Sequence, residues 1–260
     1  QDIDKERQNA DLLMARMIQR LLKETKGQLV SFNGGTKDNA IPRECEASLI
    51  YESDEEAAKA EELACELAET YAEELTPAEP DFSCEISCET NRTAEAIPQD
   101  AAKEFICAMR LAPNGIQKRN IKMDGFVVVS LNLGVVRTEE DRIVMIFSPR
   151  SSVASLQEDT KERLNTLAET FGFTVSHSSE YPGWSFKEDS PVREICKESY
   201  KELFGEDLKI EAIHAGLECG LFSDAIKGLD AIAIGPTIAN CHTPDEYLTL
   251  DSFERFYEFL

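Results

Sequence analysis

The chain has 260 residues, of which 42% are hydrophobic and 30% charged, a composition that supports one large or two modest soluble domains. Lys and Arg number 27 against 50 Asp and Glu, for a net charge of −23, which argues against nucleic acid or an anionic membrane as the main partner. The longest apolar runs fall well short of the roughly 20 residues that a membrane-spanning helix needs.

The same order of elements occurs twice between residues 1 and 178. The first set is a helix over 3–25, strands at 29–32 and 45–52, a helix over 54–75 and a strand at 82–89. The second set is a helix over 98–111, strands at 126–136 and 142–148, a helix over 153–170 and a strand at 173–177. Each set is most of a ferredoxin-like βαββαβ module that lacks its first strand. We therefore expect two fused ferredoxin-like lobes, at about 1–92 and 93–178.

A segment that contains two prolines and a glycine, residues 178–191, separates the lobes from the rest of the chain. Beyond it the pattern predicts a helix over 191–204, a strand at 208–215, a short helix, a strand at 229–235 and a helix over 250–260. Helices that alternate with strands indicate an α/β sheet, but two strands are too few for an independent one. We therefore expect residues 179–260 to be the C-terminal part of an α/β domain.

Eight cysteines are scattered along the chain without a CxxC pair, which argues against a structural zinc knuckle and against a disulfide scaffold. Cys84 and Cys88 stand four positions apart in FSCEISCE, so both are expected on one face of the strand predicted at 82–89. We interpret the cysteines as buried thiols in a reducing cytosol.

Five strings, in chain order, resemble the Xaa-His dipeptidases, which are also called aminoacyl-histidine dipeptidases or peptidase D. The strings are FNGGTKDNAIPRE (32–44), SPRSS (148–152), YPGW (181–184), IHAGLECG (213–220) and GPTIANCHTPDE (235–246). Each falls at the expected interval from the next, and the resemblance covers essentially the whole chain. These enzymes are di-zinc exopeptidases, and the set of strings is more specific than any one of them.

The resemblance implies a lid of ferredoxin-like lobes inserted into a zinc-binding catalytic α/β domain. Residues 1–178 would form the lid, and residues 179–260 the C-terminal portion of the catalytic domain. The family's general base and most of its metal ligands lie in segments without a counterpart in this sequence. The chain also opens without an initiator Met, so we expect a segment of a longer protein that is inactive on its own.

The resemblance assigns a role to four residues. His242 would ligate zinc, and Asn39 would contact the dipeptide backbone through an amide that both donates and accepts hydrogen bonds. Arg150 would hold the free carboxylate of the substrate through two parallel hydrogen bonds, and Gly216 would let the main chain approach the substrate. Without the resemblance these residues are a solvated loop histidine, a turn asparagine, a surface arginine that pairs with a nearby Glu and a turn glycine.

The implied activity is the hydrolysis of Xaa-His dipeptides such as carnosine by a cytoplasmic enzyme with two zinc ions, or other divalent metals, as cofactors. The partner is then a small peptide, and because lids of related enzymes mediate dimer contacts, a homodimer is one expected assembly. Two alternatives are a non-catalytic dimerisation or binding module and a di-zinc exopeptidase that acts on tripeptides or acylated amino acids.

Overall fold

The computed structural model describes residues 3–260 except 6, 76–77, 91, 122–124, 179–181, 212–216 and 241–244. The chain divides into two compact units, Gln1–Ser178 and Ser179–Leu260, which are called unit 1 and unit 2 below. Within the described residues, no helix is long and apolar enough to cross a membrane.

Unit 1 is a mixture of helices and strands, so the α/β class expected from the sequence is confirmed. Its elements are a 3-10 turn (Ile3–Lys5), α1 (Ala10–Glu24), β1 (Gln28–Gly34), β2 (Cys45–Ile50), α2 (Asp54–Leu75), α3 (Gln99–Leu111), β3 (Gly115–Asn120), β4 (Phe126–Thr138), β5 (Ile143–Ser151) and α4 (Ala154–Phe171).

Local side-chain chemistry sets the ends of these helices. The helix predicted from residue 3 begins at Ala10, because the Asn9 side-chain oxygen accepts the backbone N–H groups of the first turn. At α2 the Ser53 hydroxyl accepts the Glu56 N–H at 3.3 Å, which is one half of a capping box. The Glu56 carboxylate accepts the N–H of Lys26 instead of that of Ser53. The left-handed Gly172, with φ of 70°, ends α4.

The five strands of unit 1 form one antiparallel sheet organised around β4. β5 pairs with one edge of β4, and β3 and β1 lie end to end along the other edge. β3 covers the first half of that edge, whereas β1 reaches it only where Gly34 pairs with Val136. β2 pairs with the outer edge of β1. The Gly34–Val136 pair is therefore the point at which the two predicted sets of elements join into one sheet.

The core of unit 1 lies between the sheet and helices α1, α2 and α3. Phe32 of β1 packs edge to face against Phe105 of α3, with ring centroids 5.4 Å apart. Buried side chains of the same cluster are Ala15, Met17, Ile18, Leu21, Leu29, Ala60, Ala64, Tyr71, Leu75, Ala102, Ile106, Met109, Leu133 and Val136. The opposite face of β4 and β5 carries the polar pairs Ser130–Arg150 and Asn132–Ser148 and, further along, the apolar pair Val135–Ile146.

Two strands predicted in unit 1 are wrong, and one was missed. Residues 82–89 form no strand, although Phe82, Cys84 and Ile86 pack against the core. Residues 173–177 also form no strand. β3, with the sequence GIQKRN, lacks the apolar alternation that predicts a strand. Its extended conformation is stabilised by pairing with β4.

Unit 2 contains α5 (Pro191–Phe204), α6 (Glu218–Ala225), β6 (Ile238–Ala239), β7 (Tyr247–Leu248) and α7 (Leu250–Phe259). Tyr200 of α5 packs edge to face against Phe259 of α7, with ring centroids 5.2 Å apart. The strands predicted at 208–215 and 229–235 are absent from the described parts of those segments. A strand needs a paired neighbour, and no described residue of this unit pairs with them.

Unit 2 buries little apolar surface of its own. Among its described residues only Ser190 and Gly220 are buried. Leu250, Tyr257 and Leu260 are about three-quarters exposed, at 74, 75 and 76%. An apolar surface of this kind is typical of a segment that packs against further protein.

The seven described cysteines are all free thiols. The expectation that the cysteines are buried is wrong for Cys65 and Cys88, which are exposed, and Cys84 is half-buried. Because residues 82–89 form no strand, Cys84 and Cys88 do not share a strand face. Cys241 lies outside the described residues.

Candidate functional site

The candidate site is built where β1 and β3 fail to meet along the edge of β4. Leu133 lies in this gap, between the β3 pair at Leu131 and the β1 pair at Val136. The Asn114 side-chain oxygen accepts the Leu133 N–H at 2.8 Å, and the Asn9 side-chain nitrogen donates to the Leu133 carbonyl at 2.8 Å. Two asparagine side chains thus replace a missing strand, because buried backbone groups require partners.

The side chain of Asn132, one residue earlier on β4, binds the loop between β1 and β2. Its nitrogen donates to the Asp38 carbonyl at 3.0 Å and to the Ala40 carbonyl at 2.8 Å. These carbonyls bracket Asn39, the residue predicted to contact the peptide backbone. Asn132 is buried, whereas Asn39 is exposed. Asn132 therefore holds the loop against β4, and the Asn39 side chain stays accessible to solvent.

Glycines allow this loop to lie directly on the sheet. A Cβ atom on Gly134 of β4 would lie 2.3 Å from the Asp38 carbonyl oxygen. Gly35 has φ of 66°, and a Cβ atom there would lie 2.0 Å from the Gly134 carbonyl oxygen. Any side chain at either position would push the loop away from β4. The sequence places Gly134 inside the strand predicted at 126–136, and nothing in that pattern indicates this close approach.

Arg150 lies on β5 directly across from Ser130 of β4. Directly opposed residues of an antiparallel pair share a face of the sheet, and so do residues two positions apart on one strand. Arg150, Ser130 and Asn132 therefore lie on one face. The loop between β1 and β2, called the Asn39 loop below, covers the same face. The structure places two of the four predicted site residues, Asn39 and Arg150, on this common face.

The Arg150 side chain is half-buried, and no described carboxylate forms an ion pair with it. Five of the ten other arginines of unit 1 form described ion pairs. Arg16, for example, binds Glu74 through two hydrogen bonds of 2.6 and 3.0 Å. In a chain with 50 acidic residues, an arginine that lacks a described carboxylate partner keeps its two-donor fork available for an external carboxylate.

An open groove of about 530 Å³ borders the same gap in the sheet. Its walls include the first turns of α1, the start of β3, Ile41 and Asn132. The Asn132 side-chain oxygen is buried and has no hydrogen-bond partner among the described residues. Asn132 therefore lines the groove and also holds the Asn39 loop.

The remaining predicted site residues, Gly216 and His242, lie outside the described residues. Within the part of the chain that the structure describes, no group of three or more His, Cys, Asp or Glu side chains could hold a metal ion. The described residues do not by themselves form a zinc site, and the zinc-ligand role of His242 stays a prediction.

Asp11 is a buried carboxyl group that the sequence did not single out. It is fully buried on α1, and neither of its oxygens has a hydrogen-bond partner of normal geometry among the described residues. Burial raises its pKa from 3.8 to about 7, and the neighbouring Cys45 thiol lowers that pKa only in part. In the sequence Asp11 looks like an ordinary acidic residue of a helix first turn.

A family model described as peptidase family M20/M25/M40 matches residues 35–260. The chain belongs to this family. The match includes Asn39, Arg150, Gly216 and His242, so all four predicted site residues lie within the part that defines membership.

Two relatives show which members of the M20 family the chain is similar to. The cytosol non-specific dipeptidase of Escherichia coli K12 is 32% identical over 256 residues, which are 97% of this chain and 52% of that protein. The crystal structure of aminoacylhistidine dipeptidase from Vibrio alginolyticus superposes with a TM-score of 0.86 at 33% identity, over 99% of this chain and 52% of that one. The resemblance to aminoacyl-histidine dipeptidases is confirmed, and the chain spans about half the length of both relatives.

Proposed function

We propose that this chain is part of a metal-dependent dipeptidase that hydrolyses Xaa-His dipeptides such as carnosine. The observation that carries the proposal is the common face of β4 and β5, which bears the Arg150 guanidinium and the Asn39 loop in a chain of the M20 peptidase family. The similarity to the Vibrio protein, which is named an aminoacylhistidine dipeptidase, supports the histidine-dipeptide specificity.

In this proposal Arg150 grips the free carboxylate of the dipeptide. Two parallel N–H donors match the two oxygens of a carboxylate. A site for a carboxylate one residue beyond the scissile bond selects a substrate that ends there. Asn39, exposed on the loop that covers the same face of the sheet, donates to or accepts from the peptide group. Gly216 contributes its backbone to the same substrate. These residues bind and orient the substrate, which lowers the entropic cost of reaction.

Zinc is the cofactor that we propose, with His242 as one ligand; two such ions in this family supply a hydroxide at neutral pH. The other ligands and the general base would come from outside this chain. The 260-residue chain is therefore expected to show no hydrolysis alone. The large exposed apolar side chains of unit 2 support its assignment as part of a larger catalytic domain, with unit 1 as the lid.

A dipeptidase of broader specificity is the second candidate. It is favoured by the name of the Escherichia coli relative, a non-specific dipeptidase at nearly the same identity as the Vibrio protein. Both candidates use Arg150 in the same way and differ only in what lies around the substrate side chains. We further propose a cytoplasmic location, in line with the name of that relative, and a homodimer as the assembly.

The test is an assay of the complete reading frame that carries this chain, with Zn²⁺ supplied. Hydrolysis of carnosine is measured against dialanine, trialanine and an acetylated amino acid, with and without a chelator. Preference for carnosine and loss of activity on chelation support the first candidate, and equal turnover of carnosine and dialanine supports the second. Failure to cleave any dipeptide would overturn both and leave a binding module.

A further inference from the structure

We infer that Asn132 is a positioning residue for the substrate, because its side chain holds the Asn39 loop in a fixed place relative to Arg150. The inference rests on the proposed function, since Asn39 and Arg150 are the substrate contacts that it would align. Asn132 itself need not touch the substrate.

The Asn132 side-chain nitrogen holds the peptide group that precedes Asn39 and the one that follows Ala40. A primary amide nitrogen carries two protons, and both are used here, one on the Asp38 carbonyl and one on the Ala40 carbonyl. Two bonds to carbonyls on either side of one residue fix the direction of its side chain as well as its height above the sheet. A single bond would fix one point of the loop tip and leave its orientation on the sheet unset.

Asn132 can serve as a reference point because it is itself held rigidly. It is 7% exposed and lies in the middle of β4, where it pairs with Ser148 of β5. Arg150 is two residues beyond Ser148 on the same strand and the same face. The position of the Asn39 loop is thus tied, through one side chain, to the strand that carries the guanidinium.

The other end of the loop is anchored independently. The Ala10 N–H at the start of α1 donates to the Pro42 carbonyl at 3.0 Å, and the Gly35 N–H donates to the Glu44 carbonyl. These bonds close the loop, and the Ala40 N–H donates to the Lys37 carbonyl at 3.2 Å, so that the tip at residues 37–40 is a turn. The two bonds from Asn132 hold this turn against β4. Removal of these two bonds is therefore expected to free the tip and not the whole loop.

The polar identity of Asn132 carries a cost that an apolar residue would avoid. Its side-chain oxygen is buried without a described partner, and an unsatisfied buried acceptor opposes folding. A leucine of similar size would remove that cost, but it would also remove both donors to the loop. The residue is better explained by what its nitrogen holds than by packing.

The experiment measures kcat and KM for carnosine in the complete reading frame, for the unsubstituted protein and for Asn39→Ala, Asn132→Leu and the double variant. Asn132→Leu is expected to lower kcat/KM about tenfold, mainly through KM, because a misplaced contact loses binding in ground and transition states alike. The double variant is expected to be no worse than Asn39→Ala, because the two residues act through one contact.

Thr138→Val is the matched control. The Thr138 hydroxyl on β4 also makes two hydrogen bonds to backbone, because it accepts the Phe32 N–H at 2.8 Å and donates to the Phe32 carbonyl at 3.1 Å, but neither bond reaches the Asn39 loop. Its substitution should reduce stability and leave KM within about twofold of the unsubstituted value, because both hydrogen bonds from Asn132 to the loop remain.

Asn132→Asp adds a signature that loss of packing cannot produce. An ionised aspartate donates nothing to the two carbonyls, whereas a protonated one donates a single bond. The ratio of its KM to the unsubstituted KM should therefore fall as the pH is lowered. The same ratio for Asn132→Leu should stay constant.

The outcomes separate this inference from the proposed function. If Asn39→Ala and Arg150→Ala leave KM unchanged, the substrate contacts are wrong, and the inference is overturned with them. If those variants raise KM but Asn132→Leu does not, or if its loss adds fully to that of Asn39→Ala, the proposed function stands and the positioning role is refuted.

Discussion

The carboxyl group of Asp11 lies directly over Gly34. A Cβ atom on Gly34 would be 1.7 Å from the Asp11 Oδ1 atom and 3.0 Å from the Cys45 Sγ atom. Among the described residues, Gly34 is also the only one through which β1 pairs with β4. The single backbone pair that joins β1 to β4 is therefore covered by a buried carboxyl group. Substitution of Gly34 and titration of Asp11 should both change the stability of unit 1.

Gly34→Ala should destabilise unit 1 by roughly 3 kcal/mol, because the added methyl group overlaps a short, buried side chain that has no room to move. Urea unfolding followed by circular dichroism measures the change in the free energy of unfolding. Gly235→Ala is the matched control: its Cβ would meet nothing within 4 Å, so a change within about 0.5 kcal/mol is expected. Equal effects of the two substitutions would contradict the packing described at Gly34.

The stability of unit 1 should fall as the pH rises from about 4 to about 7. Burial raises the Asp11 pKa from 3.8 to about 7, so the folded state keeps its proton while the unfolded state loses it. The stabilising effect is fully present below pH 3.8 and is lost as the pH rises through 7. The total loss from this group is on the order of 4 kcal/mol.

Asp11→Asn removes the titration and leaves the other charges of the chain unchanged. The check is the difference between the two proteins in the free energy of unfolding, measured by urea at several pH values. This difference should change between pH 4 and 7 and level off above that range. A difference that is constant across the range would show that Asp11 is ionised in the folded protein.

The sequence predicted the helices and four of the five strands of unit 1 because these elements carry local signals. Residues 82–89 alternate as a strand does, and their apolar side chains do pack on the core, but alternation indicates a buried face and not a paired neighbour. β3 shows the converse, since its pairing with β4 comes from a distant segment and leaves no local pattern. Pairing is a long-range property that periodicity does not record.

The candidate site divides in the same way between what its sequence strings reveal and what only the fold reveals. The strings around Asn39 and Arg150 identify both residues, but the contacts of Asn132 join residues 92 and 94 positions apart. Nothing near Asn132 in the sequence indicates that its side chain supports a loop. Asp11 was missed for a related reason, because its burial depends on β1 and β2 and not on its own helix.

Arg150→Ala should lower kcat/KM for carnosine on the order of 100-fold in the complete reading frame, because a charge-assisted, two-point contact with the carboxylate is lost. Arg150→Lys keeps the charge without the fork and should lose roughly tenfold. The matched control is Arg137→Ala, because Arg137 is an exposed arginine on the neighbouring strand β4. This substitution should change neither kcat nor KM. A carnosine analogue with an amidated C-terminus should bind the unsubstituted and Arg150→Ala proteins alike, and a difference there would place Arg150 elsewhere on the substrate.

Substitution of Asn9 should lower the free energy of unfolding more than loss of a helix cap alone, because its side chain makes two separate sets of hydrogen bonds. Its side-chain oxygen accepts the first N–H groups of α1, and its nitrogen donates to the Leu133 carbonyl in the gap between β1 and β3. Asn9→Ala loses both and should cost about 2–3 kcal/mol, whereas Asn9→Ser keeps the cap and should cost about 1 kcal/mol. Urea unfolding gives both values, and hydrogen exchange at the Leu133 amide, whose own bond is to Asn114, shows whether the gap opens. Equal losses for Ala and Ser would mean that the bond to Leu133 contributes nothing and that the sheet closes the gap by other means.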